Sequence, residues 1–370
     1  MSAVPLVDLA ASHAQVRAEV LAGFDEVLSQ TAFIGGPQVA AFERAYADFI
    51  GVRHCIGVGN GTDALELALR ALQVGPGDEC VVPTNTFIAT AEAVARTGAS
   101  LRFVDCRADT YLLDADQLDT VVGDRTKVII PVHLYGQVAP VEDVIKVASR
   151  VGARVLEDAA QSQGARQGSR AAGGLADIAA TSFYPGKNLG AYGDAGAVMT
   201  DDESLAQAVR LLGAHGSPEK YQHPVLGFNS RLDTLQAVVL NAKLARLDRW
   251  NDARRHAAAR YHQLLSSVEG LVLPVTAPDN VHVWHLYVVR VSHRDEVLRS
   301  LHAEGIGAGI HYPTPVHLTG AFAYLGHERG EFPVAEHTAA ELLSLPLFPE
   351  ITEDQQVRVA SAVSKALATG

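Results

Sequence analysis

The sequence has no long hydrophobic run, few cysteines and no excess of positive charge. No apolar stretch approaches the roughly 20 residues that a membrane-spanning helix needs, and the first residues, MSAVPLVDLAASHAQ, lack the regions of a secretory signal. We therefore expect a cytoplasmic protein. The three cysteines show no CxxC spacing, and an odd number does not suit a disulfide framework. We expect Cys55, Cys80 and Cys106 to be small buried apolar residues.

The net charge of -12 argues against a nucleic-acid-binding surface, because such a surface needs a basic face. Any anionic ligand must instead be held by local groups. The composition, 48% hydrophobic and 19% charged, is typical of a globular protein. A chain of 370 residues is long enough for two hydrophobic cores, so we expect a large and a smaller domain.

Short strands alternate with helices through the first half of the chain. Two amphipathic helices are predicted first, over residues 13–30 and 37–50. Strands are then predicted in HCIGVGN, CVVPTN, LRFVDC and KVIIPVHLYG, each followed by a helical segment, including one near Asp114. Further strands are predicted in ARVLEDAA, IAATSFYPGK and GAVMTDD, with room for one antiparallel strand. Because these runs are apolar on both faces, we predict an α/β fold with a mostly parallel central sheet.

A long helical stretch from Leu232 to about Leu265 predicts the boundary between the domains. We predict a large domain over residues 1–245 and a smaller C-terminal α/β domain over residues 246–370. In the smaller domain, HLYVVRV and IGAGIHYP predict strands, and RDEVLRSLHAEG and residues 355–367 predict helices.

Candidate functional residues lie where strands of the predicted sheet end, because ligands of α/β sheets collect at that edge. At the first such position, Gly61 and Thr62 begin a helix directly after a strand. Free N–H groups of a helix start, together with a threonine hydroxyl, favour phosphate binding. A glycine turn before an ordinary capped helix explains the same residues without a ligand.

Two strand ends carry a carboxylate and a lysine. Asp158 ends the apolar strand of VLEDAAQS, where a buried carboxylate needs a cationic partner such as a protonated ring nitrogen, and Gln161 one turn later can donate to a ring oxygen. Simple capping of the next helix is the alternative for Asp158.

Lys187 follows Ser182 and a Pro-Gly turn. Most lysines are solvated, but desolvation in a pocket lowers the pKa of the amine and makes it a nucleophile for an aldehyde. Ser182 offers a hydroxyl for a phosphate.

Two later segments, GFNSRLD and HYP, indicate no particular reaction by themselves. Arg231 can pair with Asp233, and His311 can be a core residue whose ring is hydrogen-bonded.

In this order the segments resemble the DegT/DnrJ/EryC1/StrS sugar aminotransferase family, a branch of the fold-type I pyridoxal-phosphate (PLP) enzymes. The resemblance covers nearly the whole chain. The strings that carry it are FIGGPQVAAFE, GNGTDALELAL, GDECVVPTNTFIAT, HLYGQ, EDAAQSQGA, TSFYPGKNLGAYGDAGAV, GFNSRLDTLQA, VWHLY, HYPTPVH and LSLP.

The resemblance implies a role for each candidate residue at the cofactor. Lys187 is implied to carry PLP as a Schiff base and later to move the proton between substrate and cofactor. Asp158 is implied to pair with the pyridine nitrogen, Gln161 to reach the ring hydroxyl, and Phe87 to stack on the ring. The phosphate is implied to be held by Gly61, Thr62 and Ser182, with Asn229 contributed by a second subunit.

The resemblance also implies a homodimer, since Asn229 serves the cofactor of the other subunit in this family. Lys220 and Tyr221 lie in the segment that reaches the nucleotide diphosphate of the substrate. His311 and Tyr312 are implied to approach the sugar.

The implied reaction is a ping-pong transamination, in which glutamate converts the cofactor to pyridoxamine phosphate and a keto sugar then receives the amino group. We expect a nucleotide-linked 3-keto sugar, in particular a dTDP-3-keto-6-deoxyhexose. A UDP-linked 3-keto uronate, a 4-keto sugar and a cyclitol ketone are the alternatives. The sequence contains no dedicated arginine for the donor carboxylate, so glutamate recognition stays open.

Other functional classes fit less well. Some family members are dehydratases that replace the Schiff-base lysine by histidine, whereas this chain keeps Lys187, which favours aminotransfer. A regulatory or DNA-binding protein is opposed by the acidic charge and the intact lysine. A subunit that binds cofactor but is inactive is a third interpretation, which the sequence leaves open.

Overall fold

A computed structural model describes residues 3–368 of the chain. The helices are α1 Leu9–Gln30, α2 Pro37–Ile50, α3 Gly61–Ala71, α4 Ile88–Thr97, α5 Val141–Val151, α6 Glu203–Gly213, α7 Thr234–Leu244, α8 Leu247–Leu265, α9 Arg294–Ala303, α10 Pro333–Glu341 and α11 Glu353–Ala368. The strands are β1 His54–Val58, β2 Glu79–Pro83, β3 Ser100–Val104, β4 Thr126–Ile129, β5 Arg154–Asp158, β6 Arg166–Gln167, β7 Arg170–Ala171, β8 Ile178–Ser182, β9 Gly196–Thr200, β10 Leu271–Val272, β11 Asn280–Val281, β12 Tyr287–Val291 and β13 Leu342–Leu345. Short 3-10 helices span Ala115–Thr120, Leu134–Gly136, Val316–Leu318 and Gly320–Leu325.

The central sheet has seven strands in the order β1-β9-β8-β5-β4-β2-β3. Neighbouring strands from β8 to β3 pair in parallel, and β9 is antiparallel to both β1 and β8. The predicted α/β fold, with a mostly parallel sheet and one reversed strand, is confirmed.

Helices cover both faces of this sheet. Along β2, Cys80 and Val82 pack towards α3 and α4, whereas Val81 packs towards α5. At the other end of the sheet, α2 and α7 cover the second face through Phe42 and Leu240. The alternation explains why the strands are apolar on both faces. The cysteines at positions 55, 80 and 106 are buried and free, as predicted.

The first helix begins at Leu9, earlier than the predicted residue 13. The reason is a side-chain cap, because an Asp8 carboxylate oxygen accepts a hydrogen bond from the Ala11 N–H at 3.0 Å. The second predicted helix is confirmed at Pro37–Ile50. The helix predicted near Asp114 is only a 3-10 turn over Ala115–Thr120.

The C-terminal part forms a second core around the antiparallel sheet β10-β12-β13. Helices α8, α9 and α11 pack on this sheet through Tyr261, Leu301 and Val363. The long helix predicted from Leu232 is in fact two helices, because the chain turns at residues 245–246. No glycine or proline marks that turn in the sequence. The predicted division near residue 245 stays a prediction.

The strand predicted in IGAGIHYP is wrong. Ile306 and Gly309 make only isolated bridges, to Val4 and Ser344. The N-terminal segment passes so close that a Cβ on Gly307 would lie 2.7 Å from the Leu6 nitrogen. Strand β13 and helices α6 and α10 were not predicted. Within residues 3–368, no helix is both long and apolar enough to cross a membrane.

Candidate active site

A cavity of about 480 Å³ opens at the carboxyl ends of β5 and β8, beside the start of α3. It lies at the sheet edge where the candidate functional residues were predicted. The predicted site residues that line it are Gly61, Thr62, Phe87, Asp158, Gln161, Ser182, Lys187, His311 and Tyr312. The fold therefore brings together residues from strand ends and from loops that are far apart in sequence.

Asp158 is the last residue of β5 and is only 5% exposed. One carboxylate oxygen accepts a hydrogen bond from the Thr90 hydroxyl at 2.7 Å, and the other accepts from the Ala160 N–H at 3.1 Å. Burial raises the pKa of Asp158, while these two hydrogen bonds act in the opposite direction. No ion-pair partner from residues 3–368 lies within 4.0 Å of the carboxylate. A buried carboxylate of this kind is suited to a cationic ligand group.

The capping alternative for Asp158 is not supported. The segment after β5 is a series of turns and not a helix, so the bond from Ala160 closes a local turn only.

Lys187 lies in the same cavity, in the turn after β8. Its main-chain N–H donates to the Tyr184 carbonyl at 2.8 Å, which closes the Pro-Gly turn. Burial lowers the pKa of Lys187 to about 8, and the Asp158 carboxylate opposes that change. At neutral to mildly alkaline pH a substantial fraction of the amine is therefore unprotonated and nucleophilic.

The start of α3 lies in the cavity wall, and its geometry is suited to an anion. Asn60 caps the helix through a hydrogen bond from the Asp63 N–H at 2.8 Å. The first N–H groups of a helix have no carbonyl partner within it, and here they lie beside the side chains of Thr62 and Ser182. A Cβ on Gly61 would lie 2.5 Å from the Ser182 Cβ, so only glycine allows the helix to start this close to β8.

Gln161, Phe87 and Tyr312 line the cavity, and Tyr312 contacts the other two. The Gln161 side chain accepts from the Tyr135 N–H at 2.6 Å and donates to the Tyr312 hydroxyl at 3.0 Å. The Phe87 and Tyr312 rings are 5.4 Å apart, with planes tilted by 39°. Phe87 is 51% exposed, which leaves its ring available for another flat group. The predicted contact of Gln161 with a ring hydroxyl stays a prediction.

Three predicted residues do not line the cavity. Asn229 is exposed and pairs with Ala214 in an isolated bridge. Lys220 and Tyr221 are exposed on the same loop, with the lysine Nζ 5.1 Å from the centre of the Tyr221 ring. Within one chain these residues lie outside the cavity. Their predicted roles at a site shared between subunits stay predictions.

Several cavity residues were not predicted, namely Thr86, Thr90, Tyr184, Asp194, His285 and Leu286, together with Leu6 and Val7 of the N-terminal segment. Thr90 and His285 stand in strings that carry the family resemblance, NTFIAT and VWHLY. That resemblance was the only available signal, because their partners Asp158 and Asn188 are 68 and 97 positions away in the chain.

The model of the DegT/DnrJ/EryC1/StrS aminotransferase family matches residues 14–364. A dTDP-3-amino-3,4,6-trideoxy-alpha-D-glucose transaminase of Streptomyces venezuelae is 45% identical, over 97% of this chain and 95% of the relative. A UDP-N-acetyl-3-dehydro-alpha-D-glucosamine 3-aminotransferase of Acidithiobacillus ferrooxidans is also 45% identical, over 99% and 98%. A relative from Geobacillus stearothermophilus, called a pleiotropic regulatory protein, is 44% identical over 98% of each chain.

Solved structures show the same similarity. The crystal structure of S. venezuelae DesV in complex with a ketimine intermediate has a TM-score of 0.97 and 44% identity, covering 99% of this chain and 98% of DesV. A structure of the NtdA protein of Bacillus subtilis with bound cofactor PMP has a TM-score of 0.93 and 31% identity, covering 100% of this chain and 86% of that one.

Proposed function

The chain belongs to the DegT/DnrJ/EryC1/StrS aminotransferase family and is a sugar aminotransferase, and we propose that it uses PLP and glutamate to aminate the ketone of a dTDP-3-keto-6-deoxyhexose. The observation that carries the cofactor part of the proposal is the shared cavity of Lys187 and Asp158. The dTDP-linked 3-keto sugar is supported by the similarity to the Streptomyces transaminase.

Three features of the cavity residues fit pyridoxal phosphate. Asp158 is a buried carboxylate that lacks a cationic partner among the described residues. The start of α3 offers N–H groups and two hydroxyls to a phosphate. Lys187 provides an amine of lowered pKa in the same space. The cavity volume of about 480 Å³ lies within the usual range for cofactor and ligand sites.

When bound, pyridoxal phosphate would supply an aldehyde for amine exchange and a ring that withdraws electrons from the substrate carbon. Asp158 would hold its negative charge against the ring nitrogen and favour the protonated ring. Gly61, Thr62 and Ser182 would hold the phosphate. Phe87 would lie against the ring face.

Lys187 is proposed to have two tasks at one atom. Its unprotonated Nζ would be the group that holds the cofactor through its aldehyde. The same Nζ would also move a proton at the substrate carbon, as a general base and then as a general acid. A pKa of about 8 suits both tasks, because the amine can lose and regain its proton near neutral pH.

The protein is also proposed to act as a homodimer with shared sites. Asn229 is exposed outside the cavity of its own chain, as expected for a residue that serves a neighbouring subunit. Large apolar side chains are exposed elsewhere, including Phe33 at 45%, Ile34 at 55% and Leu226 at 97%. Exposed apolar surface of this kind favours association.

The test of this proposal is an assay with defined substrates. The purified protein is first examined for the visible absorbance of bound PLP, and then for loss of that absorbance with glutamate. Loss of absorbance separates a competent transaminase from an inactive cofactor-binding subunit. A panel of dTDP- and UDP-linked 3-keto and 4-keto sugars and a cyclitol ketone follows, with products identified by mass and NMR. Amination of a different ketone in preference to the dTDP-3-keto sugar would contradict the proposed substrate.

A further inference from the structure

His285 is a buried histidine of the cavity wall to which the proposed mechanism gives no task. It lies in the segment before β12 and lines the same cavity as His311 and Tyr312. The main chain on both sides of it is fixed, because the Val283 N–H donates to the Gly136 carbonyl at 2.9 Å and the Leu286 N–H donates to the Tyr135 carbonyl at 3.2 Å.

The approach of this segment is close enough to require glycine at position 136. Gly136 has a φ of +109°, and a Cβ there would lie 2.8 Å from the His285 nitrogen. The His285 main chain is thus held against the turn that precedes α5. These contacts fix the main-chain position from which the imidazole projects.

A chain of side-chain amides reaches the imidazole from the other side. The Asn251 amide nitrogen donates to the Gln163 carbonyl at 2.9 Å, so its oxygen must face the other way. That oxygen accepts from the Asn188 amide nitrogen at 2.9 Å. The Asn188 nitrogen also donates to the Val283 carbonyl at 3.0 Å. Main-chain carbonyls only accept, and they therefore fix the orientation of both amides.

This orientation decides which nitrogen of His285 carries the proton. The Asn188 side-chain oxygen faces the imidazole Nδ1 at 3.3 Å. An amide oxygen only accepts, so Nδ1 must be the donor, and in a neutral imidazole Nε2 is then unprotonated. Nε2 has no hydrogen-bond partner among residues 3–368, and the residue itself borders the cavity.

The charge environment keeps the ring neutral. Burial lowers the pKa of His285 well below its usual value, and the nearby cations Lys187 and Arg254 add to this, as do His311 and His282. A second proton on Nε2 would therefore be disfavoured throughout the neutral range.

We propose that His285 is a substrate-positioning residue whose unprotonated Nε2 accepts a hydrogen bond from a hydroxyl group of the keto sugar. This inference rests on the proposed function. The two substrates differ in what they offer to such an acceptor. Glutamate carboxylates only accept and cannot bond to Nε2, and the glutamate amine is needed at the reacting centre beside Lys187. The hydroxyl groups of a neutral sugar are donors, so the sugar is the substrate that His285 recognises.

The first test does not depend on activity. Nitrogen NMR of protein labelled only at histidine reports the tautomer of each ring, and the His285 signal is identified by its loss in His285→Asn. The expected result is a protonated Nδ1 and an unprotonated Nε2 that persist as the pH is lowered through the range where free histidine titrates. A ring protonated on Nε2 at neutral pH overturns the proposal.

The second test separates the two substrates. His285→Asn keeps an N–H for the Asn188 oxygen and removes the unprotonated ring nitrogen. We expect the KM for the keto sugar to rise about three- to tenfold, the usual effect of one lost hydrogen bond, while the glutamate half-reaction is unchanged. Equal losses in both half-reactions would show a structural role and overturn the proposal.

Assays of the wild-type protein distinguish a failure of this inference from a failure of the proposed function. Failure of wild-type protein to aminate any keto sugar contradicts the proposed function, whatever the tautomer. A wild-type enzyme that is active, combined with an unchanged sugar KM in His285→Asn, contradicts the role of His285 alone.

Discussion

Lys187 and Asp158 line one cavity, and each shifts the pKa of the other. Burial lowers the pKa of Lys187 and the Asp158 carboxylate raises it, while burial raises the pKa of Asp158 and Lys187 is among the groups that lower it. Neither group needs the other as a direct partner, since no ion pair within 4.0 Å joins them. The space between a base and a carboxylate is thus left for a ligand.

Removing the Lys187 amine should abolish turnover without unfolding the protein. We expect Lys187→Ala to lose all measurable transamination, because no other lysine lines the cavity within residues 3–368. Its urea unfolding midpoint should be at least that of wild type, since no core is opened and the amine that is removed has its pKa lowered by burial. Lys146→Ala is the matched control, with a side chain 68% exposed on α5. Turnover by Lys187→Ala near the wild-type rate would show that another amine carries the reaction.

Neutralising Asp158 should slow the reaction while cofactor remains bound. In Asp158→Asn the amide fits the same space, but it cannot offer a negative charge to a ring nitrogen. We expect the rate to fall by about two orders of magnitude or more, the usual effect of losing one preorganised electrostatic group. Stopped-flow absorbance of the glutamate half-reaction measures this directly. A wild-type rate would mean that the ring nitrogen pairs elsewhere.

The pKa of Lys187 gives a prediction for cofactor-free protein. Below about pH 8 the amine is protonated, and above it the free amine predominates. Acylation of Lys187, followed by peptide mass analysis, should therefore have a midpoint near pH 8, whereas exposed lysines react only at higher pH. In Asp158→Asn the midpoint should move lower, because the carboxylate that favours the charged amine is gone. An unchanged midpoint would show that the two groups are not coupled.

The lowered pKa of Lys187 also makes the stability of the folded protein increase with pH in a defined range. Lys187 has a lower pKa in the folded than in the unfolded chain, so between about pH 8 and the usual lysine value the unfolded state binds more protons. Below pH 8, Lys187 therefore lowers the free energy of unfolding by its full amount. This destabilising contribution disappears as the pH rises towards the usual lysine value. The difference between wild type and Lys187→Met in urea unfolding should decrease over this range.

The sequence predicted the parts of the site that local patterns determine. Asp158 and Lys187 follow apolar strands, and strands of one parallel sheet end at a common edge, which is enough to place them together. The hydrogen bond from Thr90 to Asp158 and that from His285 to Asn188 join distant segments. No local pattern encodes such contacts. Around Gly307 the chain makes only isolated bridges, from Ile306 to Val4 and from Gly309 to Ser344, and these also join distant segments.

Shared active sites predict complementation between an inactive variant and a weakened one. Lys187→Ala and Asn229→Ala are each expected to reduce activity, the first completely and the second through weaker phosphate binding. If Asn229 serves the partner subunit, a mixed dimer contains one site with neither change and one with both. Mixing the variants after mild dissociation should thus restore activity above that of either alone. Absence of any recovery, with mixed dimers demonstrated by native mass spectrometry, would show that Asn229 does not serve the site of the partner subunit.

The close packing at the start of α3 predicts that Gly61→Ala and Gly75→Ala have different effects on cofactor affinity. In Gly61→Ala the new Cβ would lie 2.5 Å from the Ser182 Cβ, so the helix start or β8 must shift at the proposed phosphate position. Gly75→Ala is the control, because nothing lies within 4 Å of its Cβ and no positive φ is required.

We expect cofactor affinity to fall about tenfold or more in Gly61→Ala, the effect of an overpacked contact of roughly 1–3 kcal/mol, and to be unchanged in Gly75→Ala. Equilibrium dialysis of PLP measures both. Because helix N–H groups bind a phosphate only at short range, a small displacement of α3 is enough to weaken binding. Equal affinities in the two variants would show that the phosphate is held elsewhere in the cavity.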